Sequence, residues 1–174
     1  LSESFPILPG RMSLIEGVNE SWIIDSSYNS SLGPTTAALE MLSRLKGRKI
    51  VVLGDMRELG KRTQSDHEQL AISASKVADE IFLIGPSTQT YTKRKLESLR
   101  YPTKKIHSFM TAYQAVEELT SLVEKGDVIF VKGSQNTIFL EIIVKALMKH
   151  SENAPKQLSR QTAYWEKQRQ KLKK

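Results

Sequence analysis

Five short apolar runs punctuate the chain, at residues 22–25, 49–53, 80–84, 105–109 and 127–131, each bounded by Gly, Asp or polar positions. Runs of this length, rich in Val, Ile and Phe and almost uniformly apolar, read as strands buried on both faces. Between them the period changes to that of a helix. Ala38, Met41, Leu42 and Leu45 form one stripe, with Pro34 near its start and Gly47 just past its end, the asymmetry helix termini favour. Ser65-Asp66-His67-Glu68 reads as a capping box opening a second helix with Leu70, Ala74, Val77 and Ala78 inward. Thr111-Ala112-Tyr113-Gln114 repeats the device ahead of Val116, Leu119 and Val123. Residues 88–99 are less regularly helical, whereas 138–148 carry a core stripe of Phe139, Ile142, Ile143, Ala146 and Leu147.

Apolar strands that alternate with amphipathic helices imply a mostly parallel sheet covered on both sides by crossover helices. The expected fold is therefore α/β, a Rossmann-like three-layer domain. Residues 12–18 and 21–25 flank Asn19-Glu20 and predict an N-terminal β-hairpin that adds an antiparallel edge. Residues 1–10, with Pro6 and Pro9, read as a linker from an upstream domain, residues 11–150 as the folded unit, and residues 151–174 as a basic tail or surface helix carrying Tyr164 and Trp165.

Composition narrows the function without choosing it. The chain has 174 residues, 39% hydrophobic and 26% charged, as in ordinary soluble domains. Its apolar runs are far below the roughly 20 residues needed to cross a bilayer, and neither a membrane helix nor a secretory signal is expected; a cytoplasmic setting fits the absence of cysteine. The net charge of +7 is concentrated: residues 156–174 hold seven Lys or Arg against Glu166 alone, leaving the preceding body nearly neutral. A nucleic-acid footprint needs a basic face on a folded surface, so a solvated tail or docked helix is the expectation, and nucleic acid is not an expected partner. His67, His107 and His150 are far apart in sequence, so no metal cluster is expected. His67 itself reads as a solvated first-turn residue, with substrate contact as the other reading.

Ligands of open parallel sheets bind beyond the carboxyl ends of the strands. Three such loops are polar: Ser26 to Pro34 after the first run, Gly54 to Gly60 after the second, and Lys132 to Asn136 after the last. Asp25 is placed either to accept from a ribose hydroxyl or to cap the turn that follows it. Lys132-Gly133-Ser134 offers a cation and amide donors to an anion, or a solvated strand-end lysine. Asp55 and Arg57 are placed to form an ion pair closed on itself, and Arg11 to pair with Glu16 or Glu20.

Four motifs occur in order: Gly10-Arg11-Met12, Ile23-Ile24-Asp25-Ser26-Ser27-Tyr28-Asn29, Val51-Val52-Leu53-Gly54-Asp55-Met56-Arg57-Glu58-Leu59-Gly60, and Val131-Lys132-Gly133-Ser134. Together, over residues 9–148, they resemble the C-terminal domain of the Mur ligases, the ATP-dependent amide ligases of peptidoglycan precursor assembly. Within that family the likeness is nearest to the branch that adds D-alanyl-D-alanine to UDP-MurNAc-tripeptide. Two departures stand out: Gln135 where the family usually continues Lys-Gly-Ser with Arg, and Ser30-Ser31-Leu32 where it continues Tyr-Asn with Ala-Asn-Pro.

The resemblance implies that this domain closes over ATP held by a central domain of the same polypeptide. Arg11 would reach the phosphates, Asp25 the ribose, and Tyr28 and Asn29 the nucleotide edge of the cleft. Asp55, Arg57, Lys132 and Ser134 would lie towards the incoming D-Ala-D-Ala-like amine, and no residue of this chain is implied as the catalytic group. ATP and Mg²⁺ would be held mainly by missing N-terminal and central domains, because no Gly-x-x-x-x-Gly-Lys-Ser/Thr phosphate loop occurs in these residues. Without it the chain is expected to be inactive alone. Two competing readings remain: a receiver-like ligand-binding module using Asp25, Asp55 and Lys132, and a polyanion binder using the tail.

Overall fold

The structure, a computed structural model, describes residues 8–134 and 137–173. Most of the expected linker and the departure at Gln135 lie outside the described residues. The described residues form a six-stranded sheet in the order β1-β2-β6-β3-β4-β5. Strand β1 (Ser13–Glu16) runs antiparallel to β2 (Trp22–Ser26), with Ser13 opposite Asp25 and Glu16 opposite Trp22. Strands β2, β3 (Lys49–Gly54), β4 (Glu80–Ile84), β5 (Ile106–Phe109) and β6 (Val128–Lys132) pair in parallel. The hairpin turns at Asn19 and Glu20, both in the left-handed region with φ 55° and 56°.

Side chains alternate across the sheet with period two and build two cores. Ile23, Ile50, Val52, Phe82, Ile84, Ile129 and Val131 face one layer, made of α4 (Ala112–Leu122), α5 (Glu141–Leu147) and the short α6 (Ala154–Gln157). Ile24, Val51, Leu53, Ile81, Leu83 and Phe130 face the other, made of α1 (Leu32–Ser43), α2 (Thr63–Ser75) and α3 (Arg94–Ser98). A last helix, α7 (Ala163–Gln170), follows α6. Full burial of one Ile, Leu or Phe side chain contributes about 1.5–3 kcal/mol, so this alternation fixes which side chains remain at the strand ends.

Two local expectations are corrected, and the irregularity expected of residues 88–99 takes a definite form. The α1 stripe is rotated: Thr35, Ala38, Leu39 and Leu42 are buried, while Met41 and Leu45 are exposed, because the sheet is met one position round the helix. Ser65 does not cap α2; the helix already begins at Thr63 after a 3₁₀ turn at Gly60–Arg62, and the Ser65 hydroxyl donates to the Arg62 carbonyl. Residues 88–99 start as a π-helical stretch, Thr88–Lys93, before α3. The Thr111 capping box does form, with Gln114 Oε1 accepting from the Met110 and Thr111 amides.

Candidate functional site

The carboxyl ends of β2, β6, β3 and β4 converge on one rim of the sheet, where Ser26 pairs with Lys132 and Lys132 with Leu53. Asp25 is fully buried there; its Oδ1 accepts from the Ser27 amide at 2.9 Å, and its Oδ2 has no partner among the described residues. Burial pushes the Asp25 carboxyl above the usual range, and the Glu141 charge adds to the shift, whereas the Ser27 hydrogen bonds and Arg160 oppose it. Lys132 is likewise buried, donating to the Ser26 carbonyl at 3.4 Å and to the Asn29 carbonyl. Its ammonium is held down to about 8, chiefly by burial and further by Arg11, with Asp25 working the other way.

Arg11 enters through a turn that only glycine fits. Gly10 has φ +74°, its carbonyl accepts from the Tyr28 amide at 3.2 Å, and a Cβ there would meet Tyr28 Cβ at 3.0 Å. The exposed Arg11 guanidinium lies 4.7 Å from the centroid of the Tyr28 ring. Neither expected hairpin pairing occurs: Glu16 bonds Lys149 and Glu20 bonds Lys125. Among the described residues Arg11 has no carboxylate partner, which leaves its charge open to an anion.

The β3 loop is stitched from within. Asp55 is no partner of Arg57; its two oxygens accept from the Ser87 and Thr88 amides at 3.0 and 2.7 Å, and the Ser134 hydroxyl donates to the Asp55 carbonyl. Gly85, with φ +116°, lies under the carboxylate, where a Cβ would sit 2.6 Å from Cγ. His67 is fully buried rather than solvated: Nε2 accepts from the Met56 amide at 3.1 Å and Nδ1 faces the Thr63 carbonyl at 2.7 Å. This fixes the neutral tautomer with the proton on Nδ1.

These ties hold Arg57 and Glu58 outward. Arg57 donates to Thr137 Oγ1, and Glu58 sits in the left-handed region at φ 61°. Both residues line a cleft of about 440 Å³ with Pro86, Ser87, Met110 and Ile138. They also meet Asn29 and Ser134 across a recess of about 90 Å³. The loops after β2, β3 and β6 are thus in contact, as the sequence suggested. The acidic pocket of a receiver-like module does not form, since Asp55 is spent on backbone amides and Lys132 on backbone carbonyls.

The basic tail supplies residues that sequence reasoning missed. Arg160, 8% exposed, forks onto the fully buried Glu141, Nε to Oε1 at 3.0 Å and Nη2 to Oε2 at 2.9 Å. It also donates to the carbonyls of Tyr28 at 3.2 Å and Ser27 at 2.9 Å. Arg169 of α7 reaches Glu141 Oε1 at 3.4 Å and the Arg160 carbonyl at 2.6 Å, and Trp165 packs edge-on against Phe139. Of the two readings of the tail, solvated or docked, the docked one holds for Arg160 and Arg169, whose charges are packed onto Glu141. No period or spacing in the sequence signalled it, because Arg160 and Glu141 meet only through the tertiary fold.

Among the described residues no helix is long and apolar enough to cross a membrane, and no group of three or more His, Cys, Asp or Glu side chains is placed to hold a metal. The family model for the Mur ligase, glutamate ligase domain, matches residues 10–135. The UDP-N-acetylmuramoyl-tripeptide–D-alanyl-D-alanine ligase of Escherichia coli is 27% identical over 144 residues, covering 82% of this chain and 30% of that one. Its counterpart from Buchnera aphidicola (subsp. Acyrthosiphon pisum) is 33% identical over 150 residues, covering 84% and 31%. The chain thus spans about a third of the length of these relatives. Among solved structures, the MurF ligase of Thermotoga maritima in complex with ADP superposes with a TM-score of 0.69 at 27% identity, covering 86% of this chain and 33% of that one. A MurF from Acinetobacter baumannii gives 0.71 at 25% identity, covering 84% and 32%.

Proposed function

The chain belongs to the Mur ligase family, through the glutamate ligase domain that closes those enzymes, and on that premise we propose that it is the nucleotide-closing and amine-receiving part of a cytoplasmic ligase. The ligase would add D-alanyl-D-alanine to UDP-MurNAc-tripeptide. The relatives named above carry that activity in their names, and a solved relative carries ADP. Preceding domains of the same polypeptide would hold the triphosphate, for which this chain has no phosphate loop.

In this reaction the tripeptide carboxylate takes the γ-phosphoryl group of ATP and ADP is left. The dipeptide amine attacks the acyl carbon, inorganic phosphate departs and an amide forms. Negative charge gathers on the phosphoryl oxygens and then on the acyl oxygen, so cations positioned beforehand lower both barriers. Mg²⁺ bound with ATP would supply such charge. We assign no ligand for it in this chain, because Asp55 and Glu141 are committed within the fold and, among the described residues, no three His, Cys, Asp or Glu side chains are grouped to hold a metal.

The observation that carries the reading is Arg11: exposed, laid on Tyr28, and without a carboxylate partner among the described residues. We assign it to the phosphates, with Tyr28 and Asn29 along the nucleotide edge. Asp25 Oδ2 is a buried acceptor with unused capacity, which suits a ribose hydroxyl. Arg57 faces the 440 Å³ cleft and suits the carboxylate of the incoming dipeptide, while Asp55, Ser134 and Lys132 hold the loops that frame it. In the complete ligase, Arg11→Ala is expected to raise the KM for ATP about tenfold to a hundredfold, the loss of a hydrogen bond to a charged group being about 1.5–3 kcal/mol. The KM for the dipeptide should stay within about twofold. Unaltered ATP kinetics would remove the assignment.

A further inference from the structure

Arg160 and the segment that carries it lie beyond residues 10–135, the stretch that the family model matches. Yet Arg160 is the most heavily engaged cation of the site, with two bonds to Glu141 and two to the backbone of the loop that follows β2. Its guanidinium lies 5.6 Å from the centroid of the same Tyr28 ring that carries Arg11 at 4.7 Å. Arg160 adopts φ 56°, a strained conformation for a residue with a Cβ, so its contacts must over-determine its position. Ser159 closes the same corner: its Oγ would lie 3.3 Å from a Cβ on Gly10.

A buried ion pair is weak evidence for stability, because desolvation offsets much of the attraction. What such a pair does give is fixed geometry, and here the fixed object is the pair of carbonyls that flank the Tyr28 residue, those of Ser27 and of Tyr28 itself. The Tyr28 amide is in turn bonded to the Gly10 carbonyl, one residue before Arg11. A continuous path of contacts therefore runs from Glu141 through Arg160 and Tyr28 to Arg11. Arg169 and the Trp165–Phe139 contact hold the segment down from α7.

We infer that the C-terminal segment from Ser159 through α7 is a brace for the nucleotide-facing loop, in which Arg160, anchored on Glu141, is a positioning residue that sets Tyr28 and, through it, Arg11. The inference rests on the nucleotide reading of Arg11 given above. In the brace, Arg160 touches no substrate; its charge and that of Arg169 serve the inside of the domain.

The test is a double-variant cycle in the complete ligase. Arg160→Ala is expected to raise the KM for ATP about fivefold to tenfold and to leave the KM for the dipeptide within about twofold. Arg160→Lys, which keeps the charge without the fork, should fall between it and the wild type. Arg11→Ala combined with Arg160→Ala should raise the ATP KM by less than the product of the two single effects, since a brace acts only through what it positions. Should Arg160→Ala fail to fold, Glu141→Gln, which keeps the shape of the anchor, is expected to raise the ATP KM in the same direction and to expose the bond after Arg160 to trypsin. Multiplying effects in the double variant, an unchanged ATP KM with the segment released, or a lowered ATP KM would each overturn the brace. If Arg11→Ala alone leaves ATP kinetics unaltered, the nucleotide reading fails first and the brace falls with it, a result distinct from those three.

Discussion

Lys132 shows how much a strand end does to one side chain. Its folded pKa of about 8 lies below the ordinary 10.5, so the unfolded chain binds more protons between those values. The burial penalty is fully present at neutral pH and is relieved as pH rises through about 8 towards 10.5. The wild type should therefore gain stability over that window relative to Lys132→Met, by on the order of 3 kcal/mol in all. Urea unfolding of both at a series of pH values checks this, and parallel curves would contradict it. At this scale the sequence was only half informative. It picked Lys132 and Asp25 because polar residues at strand ends are chemically exposed positions, and Arg11 through the family resemblance of Gly10-Arg11-Met12. One alternative it kept open for Arg11 fails, since the Glu16 and Glu20 carboxylates go to lysines distant in the chain, and it left His67 in solvent. Whether a histidine in a first turn is wet depends on what packs over it, here the Met56 amide.

Elements were more legible than their ends. All five parallel strands fall within a residue or so of the apolar runs, because a strand buried on both faces has no alternative reading in a chain punctuated by helices. The start of α2 was misplaced for a physical reason: Ser65 donates back to a carbonyl of the preceding turn, so the same residue that signals a cap also sits inside a helix that has begun. Asp55 acts at this scale too. It takes two amides at the start of the π-helical stretch and so joins β3 to the segment after β4. Asp55→Ala should cost about 3 kcal/mol, hydrogen bonds to charged groups contributing about 1.5–3 kcal/mol each. Asp55→Asn, which keeps one acceptor, should lose roughly half of that. Equal midpoints for Asp55→Ala and the wild type in urea would show that the two amides do not depend on it. Loss of activity at Asp55 would accordingly not by itself place it on substrate.

For the whole molecule, the three-layer fold followed from the alternation of periods, and the polar rim followed from the rule that parallel sheets bind at their carboxyl ends. Of the two readings of the tail, solvated or docked, the sequence could not choose. A run of seven cations against one acid has the composition of a solvated surface, and only the fold brings Arg160 and Arg169 to Glu141. On the proposed reading the rim and the brace answer a single demand: the domain would present cations in fixed positions to a triphosphate that another domain holds. The most direct test is product formation by the complete ligase that carries this chain, given ATP, UDP-MurNAc-tripeptide and D-alanyl-D-alanine, followed by mass and by ADP release. The expected result is one dipeptide joined per ADP formed, requiring all three substrates and depressed in Arg11→Ala at sub-saturating ATP. ADP release without ligation, or ligation indifferent to Arg11, would contradict it.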